Sequence, residues 1–258
     1  MILDHHDLDL ILEIRDAAAH QVTFACISLK NAQIKWQNLG FLEPWWISMV
    51  AVVKSSILFK IHEDDQNPES ASLLIYHSDL KKIIWESADY NFLRGTENGF
   101  LGYREVDGKN HFVLINNKNG KELSLDEETD ITKYKNSFNS TSENKILSSP
   151  FHYLEASDYF EVVKNFLFQK HKIFPVKAID YLEHQNAIII SYYIYQNSEK
   201  KESLLENFLL VLNRQGKILL QEKIDENLTG IGLETFFVIP DQLIFTSFKK
   251  EIKSYFIT

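Results

Sequence analysis

Phe24–Trp36, FACISLKNAQIKW, is an apolar run, a short polar turn and a second run that ends in tryptophan. In such a stretch the apolar residues alternate or cluster as they do in β-strands, and Asn, Asp or Gly stands where a hairpin turns tightly. Self-similarity at intervals of tens of residues indicates a repeat architecture. Related stretches recur at Leu73–Trp85 (LLIYHSDLKKIIW), Val113–Leu123 (VLINNKNGKEL) and Leu209–Leu220 (LLVLNRQGKILL). The sequence therefore predicts an all-β protein built from repeated units.

Superimposing the four turns places Ala32, Lys81, Gly120 and Gly216 at one position. Four residues later stand Trp36, Trp85, Ser124 and Leu220. This pattern resembles the repeat of the pyrroloquinoline-quinone-type β-propellers, in which a strand, a short turn and a strand ending in Trp form the outer half of each blade. The resemblance implies that Trp36 and Trp85 pack between neighbouring blades. It also implies that Gly120 and Gly216 are turn residues.

The resemblance does not extend to the cofactor. Quinone sites in that family use vicinal cysteines and acidic metal ligands, and this chain has one cysteine, so we expect no cofactor. The third and fourth units also lack the tryptophan. The whole chain further resembles an uncharacterised bacterial family of propeller-like domains of unknown function, which implies no particular chemistry.

The repeats predict a small β-propeller of about five blades, each of roughly 40–50 residues, forming a single domain over 1–258. A β-sandwich or two packed β-domains is the alternative. A closed ring shares its last blade between the two termini. We therefore expect the two termini to lie in one shared blade or in adjacent blades, with Ile252–Ile257 close to an N-terminal strand.

Two segments interrupt the repeats. Residues 126–150 are rich in Asp, Glu, Thr, Asn and Ser and predict a polar insertion. In contrast, 157–172 predicts an amphipathic helix, with Asp158 and Glu161 resembling a capping box. Its apolar residues recur at spacings of three and four, which predicts that Phe160, Val163 and Leu167 face the β-body.

Charge and cysteine content narrow the function classes. A net charge of −9 opposes binding to nucleic acid and to anionic membranes, which both require a basic face. No apolar run is long enough to span a bilayer. The N-terminus, MILDHHDLDLIL, lacks the positive charge of a secretory signal, so we expect a cytoplasmic protein. Cys26 lies in an apolar run and predicts a buried, inert thiol.

Motifs of catalysis are missing from the sequence. It contains no Gly-x-Ser-x-Gly elbow, no Gly-rich phosphate loop and no His-Glu-x-x-His, and we assign no catalytic residue. The run His5-His6-Asp7 with Asp9 has metal-ligand chemistry, but a solvated acidic terminus explains it more simply. We therefore predict no metal site.

Pro44-Trp45-Trp46 is the most unusual apolar signal. Two adjacent tryptophans on a strand point to opposite faces, so at most one of them faces a channel. Core packing is one interpretation, and a stacking platform for a planar ligand or sugar at a propeller mouth is the other. His152, Tyr153 and Tyr159 flank the predicted helix and are candidates to join Trp45 and Trp46 in such a site.

The sequence thus leaves two functions open. The first is a non-enzymatic propeller scaffold that binds a protein or peptide partner through its loops. The second is a small-ligand-binding protein or hydrolase-type enzyme with a site at the central mouth. A mouth lined by converging carboxylates or histidines would favour the second.

Overall fold

A computed structural model describes residues 1–4, 8–62, 71–125, 147–197 and 204–257. These residues are mostly β-strand with a single α-helix, in agreement with the all-β prediction. The chain divides into two compact units, Met1–Glu143 and Asn144–Thr258. Most of the predicted polar insertion, 126–146, falls outside the described residues.

The first unit contains three four-stranded antiparallel sheets, each formed by strands that follow one another along the chain. Such meanders arise because short turns can join only antiparallel neighbours. The first sheet has β1 (Ile2–Asp4), β2 (Asp9–Asp16), β3 (Gln21–Ser28) and β4 (Gln33–Leu39). The second has β5 (Ile47–Val53), β6 (Ser56–His62), β7 (Ala71–His77) and β8 (Lys82–Ser87). The third has β9 (Asn91–Thr96), β10 (Gly99–Val106), β11 (Lys109–Asn116) and β12 (Glu122–Ser124).

Successive sheets of the first unit share their hydrophobic cores. Phe24 of the first sheet and Phe59 of the second belong to one buried cluster, and their rings meet edge to face at 4.7 Å. Ile75 of the second sheet and Phe100 of the third belong to another. The opening strands also touch in series, β1 with β5 and β5 with β9. Each sheet therefore buries its faces against its neighbours, as the repeat interpretation requires.

The aligned turn positions share one backbone conformation. Ala32, Lys81, Gly120 and Gly216 have φ values of 55°, 53°, 68° and 80°, all left-handed. Gly120 is required for a second reason, since a Cβ there would lie 2.1 Å from the carbonyl oxygen of Ile84 in the second sheet. The alignment of the four turns is thereby confirmed.

The predicted positions of the two repeat tryptophans are confirmed in part. Trp85 is 9% exposed and lies in the core between the second and third sheets. Trp36 packs against the core between the first and second sheets but is only half-buried. The two residues thus occupy corresponding places with different degrees of burial.

The second unit contains a five-stranded and a three-stranded antiparallel sheet. The fourth sheet of the chain has β13 (Phe151–Leu154), β14 (Val176–His184), β15 (Ala187–Tyr195), β16 (Leu205–Asn213) and β17 (Ile218–Leu228). The fifth has β18 (Phe236–Ile239), β19 (Gln242–Ser247) and β20 (Glu251–Phe256). A shared core containing Ile189, Leu209, Phe236 and Phe245 joins the two sheets.

The helix α1 (Asp158–His171) lies on the other face of the fourth sheet. Phe160, Val163 and Leu167 are buried there, as predicted. The predicted capping box is wrong in its position, because Ser157 is the N-cap and its Oγ accepts a hydrogen bond from the Phe160 N–H at 3.3 Å. Asp158 and Glu161 instead supply negative charge to the first turn, which interacts favourably with the positive end of the helix dipole.

The two terminal strands lie in different sheets, so the expectation of one shared blade is wrong. Met1–Asp4 does form a strand, but β1 pairs with β2 in the first sheet. β20 pairs with β19 and forms an edge of the fifth sheet. The sequence analysis also overlooked β13, and Ser148, placed in the polar insertion, instead makes a β-bridge with Val238.

Candidate functional site

Trp45 and Trp46 lie in the first unit, in a bend that precedes β5 and not on a strand. Glu43 Oε1 accepts hydrogen bonds from both of their backbone N–H groups, at 2.9 and 2.8 Å, and this holds the bend. Strand alternation therefore does not govern where the two indoles point, and that part of the prediction is wrong.

The two indoles have different surroundings. Trp45 is half-buried, stacks on the His20 ring at 4.4 Å and has the Arg15 guanidinium 5.4 Å from its ring centroid. Arg15 also donates to the Trp45 carbonyl at 3.1 Å. Trp46 is 46% exposed. Trp45 thus packs against the protein, and Trp46 is the one whose surface is available.

His152 lies in the second unit, on the edge strand β13. Its Nδ1 lies 2.6 Å from Asp180 Oδ1 of β14. The other oxygen of this buried carboxylate accepts hydrogen bonds from the N–H and hydroxyl of Thr235, at 3.0 and 2.7 Å. Because both oxygens have partners, Asp180 joins β13 and β14 to the residue just before β18.

Tyr153 and Tyr159 come together, as the sequence analysis proposed. Their rings stack at a centroid distance of 5.3 Å, and Tyr153 also stacks parallel to Phe151 at 6.4 Å. Burial raises the pKa of Tyr153, with a further contribution from Tyr159. We call Phe151, Tyr153 and Tyr159 the aromatic surface.

Alternation along β13 separates this surface from His152. Phe151 and Tyr153 occupy one face of the strand, and His152 occupies the other. The three candidates that flank the helix therefore do not form one cluster. Trp45 and Trp46 belong to the other unit, so a platform that combines all five residues stays a prediction.

The aromatic surface lies at an exposed and acidic border. Phe151 is 65% exposed and Tyr159 is 67% exposed. The exposed carboxylates of Glu155, Asp158 and Glu161 follow closely in the chain, and only Glu161 has an ion pair among the described residues, with Lys164 at 3.0 Å.

Sequence reasoning missed Phe151 and the strand that carries it. The available signal was the alternation of aromatic and other residues in Phe151–Leu154, directly after Pro150. This segment is short, and its partner β14 lies on the far side of the helix in the sequence. No local hairpin pattern therefore marked it as a strand.

The described residues contain neither a metal-binding cluster nor a membrane-spanning helix. They contain no group of three or more His, Cys, Asp or Glu side chains placed to hold a metal ion. His5, His6 and Asp7 lie outside them. The helix of the described part of the chain does not have the length and apolar content needed to cross a membrane.

Solved structures with some similarity include the β-propeller domain of the Trilobed protease from Pyrococcus furiosus, at 12% identity and a TM-score of 0.28. An uncharacterized protein from Listeria monocytogenes EGD-e has 9% identity and a TM-score of 0.34. The acylaminoacyl peptidase from Pyrococcus horikoshii has 10% identity and a TM-score of 0.26. Each match covers 96% of this chain and, in the same order, 64%, 90% and 36% of the other.

The chain therefore spans less than two thirds of the protease domain and about a third of the peptidase. No curated protein matches it. Residues 3–85, which cover nearly all of the first two sheets, are similar to the family described as "Domain of unknown function (DUF4905)".

Proposed function

We propose that this chain is a non-enzymatic scaffold that binds an extended segment of a protein or peptide at the aromatic surface. The observation that supports it is the exposure of Phe151 and Tyr159, 65% and 67%, beside a strand that has a sheet partner on one side only. Loop binding, the function first expected from the sequence, is narrowed in this proposal to the edge of β13 and the start of α1.

An exposed aromatic cluster favours a partner for a physical reason. Burying apolar surface contributes about 25 cal/mol per Å², and aromatic side chains supply much of it at little cost in conformational entropy. The stack with Tyr153 already restricts the rings, so a partner would order few additional groups.

The edge of β13 determines the conformation of the proposed partner. β13 pairs with β14 alone, so its other side can accept an additional strand. An extended peptide placed there would form backbone hydrogen bonds, and every second side chain would reach Phe151 and Tyr153. We therefore propose a partner segment with apolar residues at alternate positions.

The charge around the aromatic surface indicates which other residues the partner segment carries. Glu155 and Asp158 are exposed and have no ion pair among the described residues, and the chain as a whole is acidic. A segment carrying Lys or Arg would be attracted to this border, and binding would weaken as salt rises.

The larger architecture also belongs to this proposal. We propose that the sheets are blades of one cytoplasmic, propeller-like domain over 1–258 with degenerate quinone-type repeats. Three observations support it. Neighbouring sheets of the first unit share hydrophobic cores, their opening strands are in contact, and the aligned turns have the same backbone conformation. Helix α1 packs on one face of the fourth sheet. In a ring made of blades alone, another blade would pack on that face. We therefore propose that α1 acts as a spacer between blades.

The hydrolase-type alternative is less well supported. His152 and Asp180 form the base and orienting carboxylate that a nucleophilic site needs. However, the Thr235 hydroxyl donates to Asp180, and no hydroxyl or thiol of the described residues hydrogen-bonds the imidazole. The arrangement fits a cross-link between strands better than an activated nucleophile.

Selection from a peptide-phage library against the full chain tests the proposal. We expect peptides with alternating apolar residues and Lys or Arg, whose binding is lost with the variant Phe151→Ser/Tyr159→Ser. Phe256→Ser is the matched control, since Phe256 is a 76%-exposed aromatic residue on another edge strand, β20. Selected peptides that bind the double variant as well as the unaltered chain would contradict the proposal.

A further inference from the structure

A cleft of about 360 Å³ lies within the first unit, between the first and second sheets. Its lining combines apolar side chains with lysines, aspartates and serines. The residues are Asp9, Ile11, Cys26, Lys35, Trp36, Lys54, Ser55, Ile57, Ser78, Asp79 and Lys81. None of these residues belongs to the aromatic surface, so the inference is independent of the proposed function.

The lining has more positive than negative charge, although the protein is acidic overall. Asp9 pairs with Lys35 at 2.5 Å, and Asp79 accepts a hydrogen bond from the Ser55 hydroxyl at 2.6 Å. Within the described part of the chain, Lys54 and Lys81 have no carboxylate partner. Two of the three lysines in the cleft therefore form no ion pair among the described residues, and neither does Asp79, which leaves the lining with one positive charge in excess.

Hydrogen bonds hold these two lysines on adjoining turns. Lys54 lies in the turn between β5 and β6, and Lys81 lies in the turn between β7 and β8. The Ser55 carbonyl accepts from the N–H of Ser78 at 2.8 Å and from its hydroxyl at 3.0 Å. The two turns are thus fixed to each other, and both lysines line the cleft.

The remainder of the cleft suits an organic body. Ile11 and Ile57 are buried apolar residues, and the half-buried indole of Trp36 offers a surface on which a ring can pack. Burial, with a further contribution from Asp9, raises the pKa of the Cys26 thiol to about 12, so it adds no negative charge near neutral pH.

Asp9 contributes one more feature. Its Oδ2 pairs with Lys35, but its Oδ1 is buried and has no hydrogen-bond partner among the described residues. An unsatisfied buried acceptor is unfavourable, and a hydroxyl or N–H group on a bound molecule would relieve it.

We propose that this cleft binds a small organic anion, with its carboxylate or phosphate group at Lys54 and Lys81 and its ring or hydrocarbon part against Trp36. Lysine is a common phosphate and carboxylate partner because it places a compact positive charge. The volume lies near the lower end of the range of about 300–1,000 Å³ for ligand pockets, which favours a molecule with a single ring.

Calorimetric titration of the full chain at low salt tests the proposal, with phenyl phosphate and benzoate as probes. Phenol and inorganic phosphate represent the separate halves of the first probe. We expect saturable binding of at least one aromatic anion, tighter than binding of phenol or inorganic phosphate. Binding should weaken as ionic strength rises.

Lys54→Asn and Lys81→Asn should each raise the dissociation constant by roughly fivefold or more, as expected for the loss of one partly desolvated charge. Asparagine tolerates the left-handed φ values of 55° and 53° at these positions, so the turns should persist. Lys249→Asn is the matched control, since it makes the same change at a φ of 54° in the second unit.

Three results would overturn the proposal. The first is no saturable binding of either phenyl phosphate or benzoate. The second is unchanged affinity in both cleft variants, and the third is an equal loss of affinity in Lys249→Asn. Far-ultraviolet circular dichroism of each variant ensures that a loss of affinity is not a loss of folding.

Discussion

Trp85 shows how a single residue joins two sheets of the first unit. Its indole N–H donates to Glu122 Oε1 of the third sheet at 2.8 Å, and its ring meets Tyr90 edge to face at 5.1 Å. Glu122 in turn makes a two-pronged ion pair with Arg104, both contacts at 2.7 Å. Hydrogen bonding from Arg104, with a smaller contribution from Trp85, lowers the pKa of Glu122. Trp85 is therefore both a core residue and a member of a polar network.

Replacing Trp85 with alanine should lower the free energy of unfolding by roughly 3–5 kcal/mol, because it empties a buried aromatic site. Trp36→Ala should cost less, since Trp36 is only half-buried. Trp46→Ala is the exposed control and should change stability by no more than about 0.5 kcal/mol. Urea unfolding followed by circular dichroism measures all three, and equal costs for Trp85 and Trp46 would contradict the account.

Cys26 provides a second residue-level prediction. It is buried, and its pKa is raised to about 12 by burial first and by Asp9 second. At about pH 8 the folded thiol should thus be protonated and inaccessible, and it should react with Ellman's reagent far more slowly than a free thiol. Unfolding in guanidinium chloride should restore fast reaction. Rapid labelling of the folded chain would show that Cys26 is not buried as described.

Sequence could identify these residues but not their exposure. The positions of the tryptophans and of the turns followed from the repeated strand–turn–strand pattern. The left-handed φ at all four aligned turn residues agrees with that alignment. Trp36 lies on β4, an edge strand of its sheet, and is only half-buried. Trp85 also lies on an edge strand, β8, but it is covered by Tyr90, just before the third sheet, and by Glu122 of that sheet. That difference depends on the neighbouring sheet, which a local pattern does not show.

At the scale of elements, helix α1 was the clearest prediction. Its apolar spacing identified the three residues that are buried against the fourth sheet. Only the cap was misplaced by one residue, because Ser157, not Asp158, accepts a hydrogen bond from the Phe160 backbone N–H. β13 was missed since its only sheet partner, β14, is separated from it by the whole helix. Two of the three residues of the aromatic surface, Phe151 and Tyr153, were therefore not recognisable as part of a sheet.

The N-cap of helix α1, Ser157, should contribute measurably to stability. Ser157→Ala removes the side-chain acceptor for the Phe160 N–H and should cost about 1 kcal/mol of stability. Ser157→Asp should retain the cap and complement the helix dipole, so its stability should stay near that of the unaltered chain. The midpoints of urea unfolding measure the stability of the two variants. An equal loss of stability in both would show that the cap is not what stabilises the helix start.

At the scale of the whole molecule, the strand content and the succession of antiparallel sheets followed from the sequence. Closure of a ring through a blade shared by both termini was also expected, but each terminal strand pairs inside its own sheet. Pairing between distant strands depends on contacts that no local pattern encodes. The single-domain proposal and the alternative of two β-domains differ in how the two compact units unfold.

Scanning calorimetry separates these two architectures. For one domain we expect a single transition whose midpoint is lowered both by Trp85→Ala in the first unit and by Phe160→Ala in the second. Both substitutions remove buried aromatic rings, so each should lower stability by several kcal/mol, of the order of 3–5. Two transitions, each shifted by only one of the variants, would favour separate β-domains.

The central claim is that β13 and its aromatic surface receive an extended partner. Hydrogen exchange of the full chain, with and without a peptide obtained from the library selection, measures this at the backbone. The account predicts that exchange slows in Phe151–Leu154 and at the start of α1, because an added strand would bond the open edge of β13. Slowed exchange elsewhere, with Phe151–Leu154 unchanged, would contradict it.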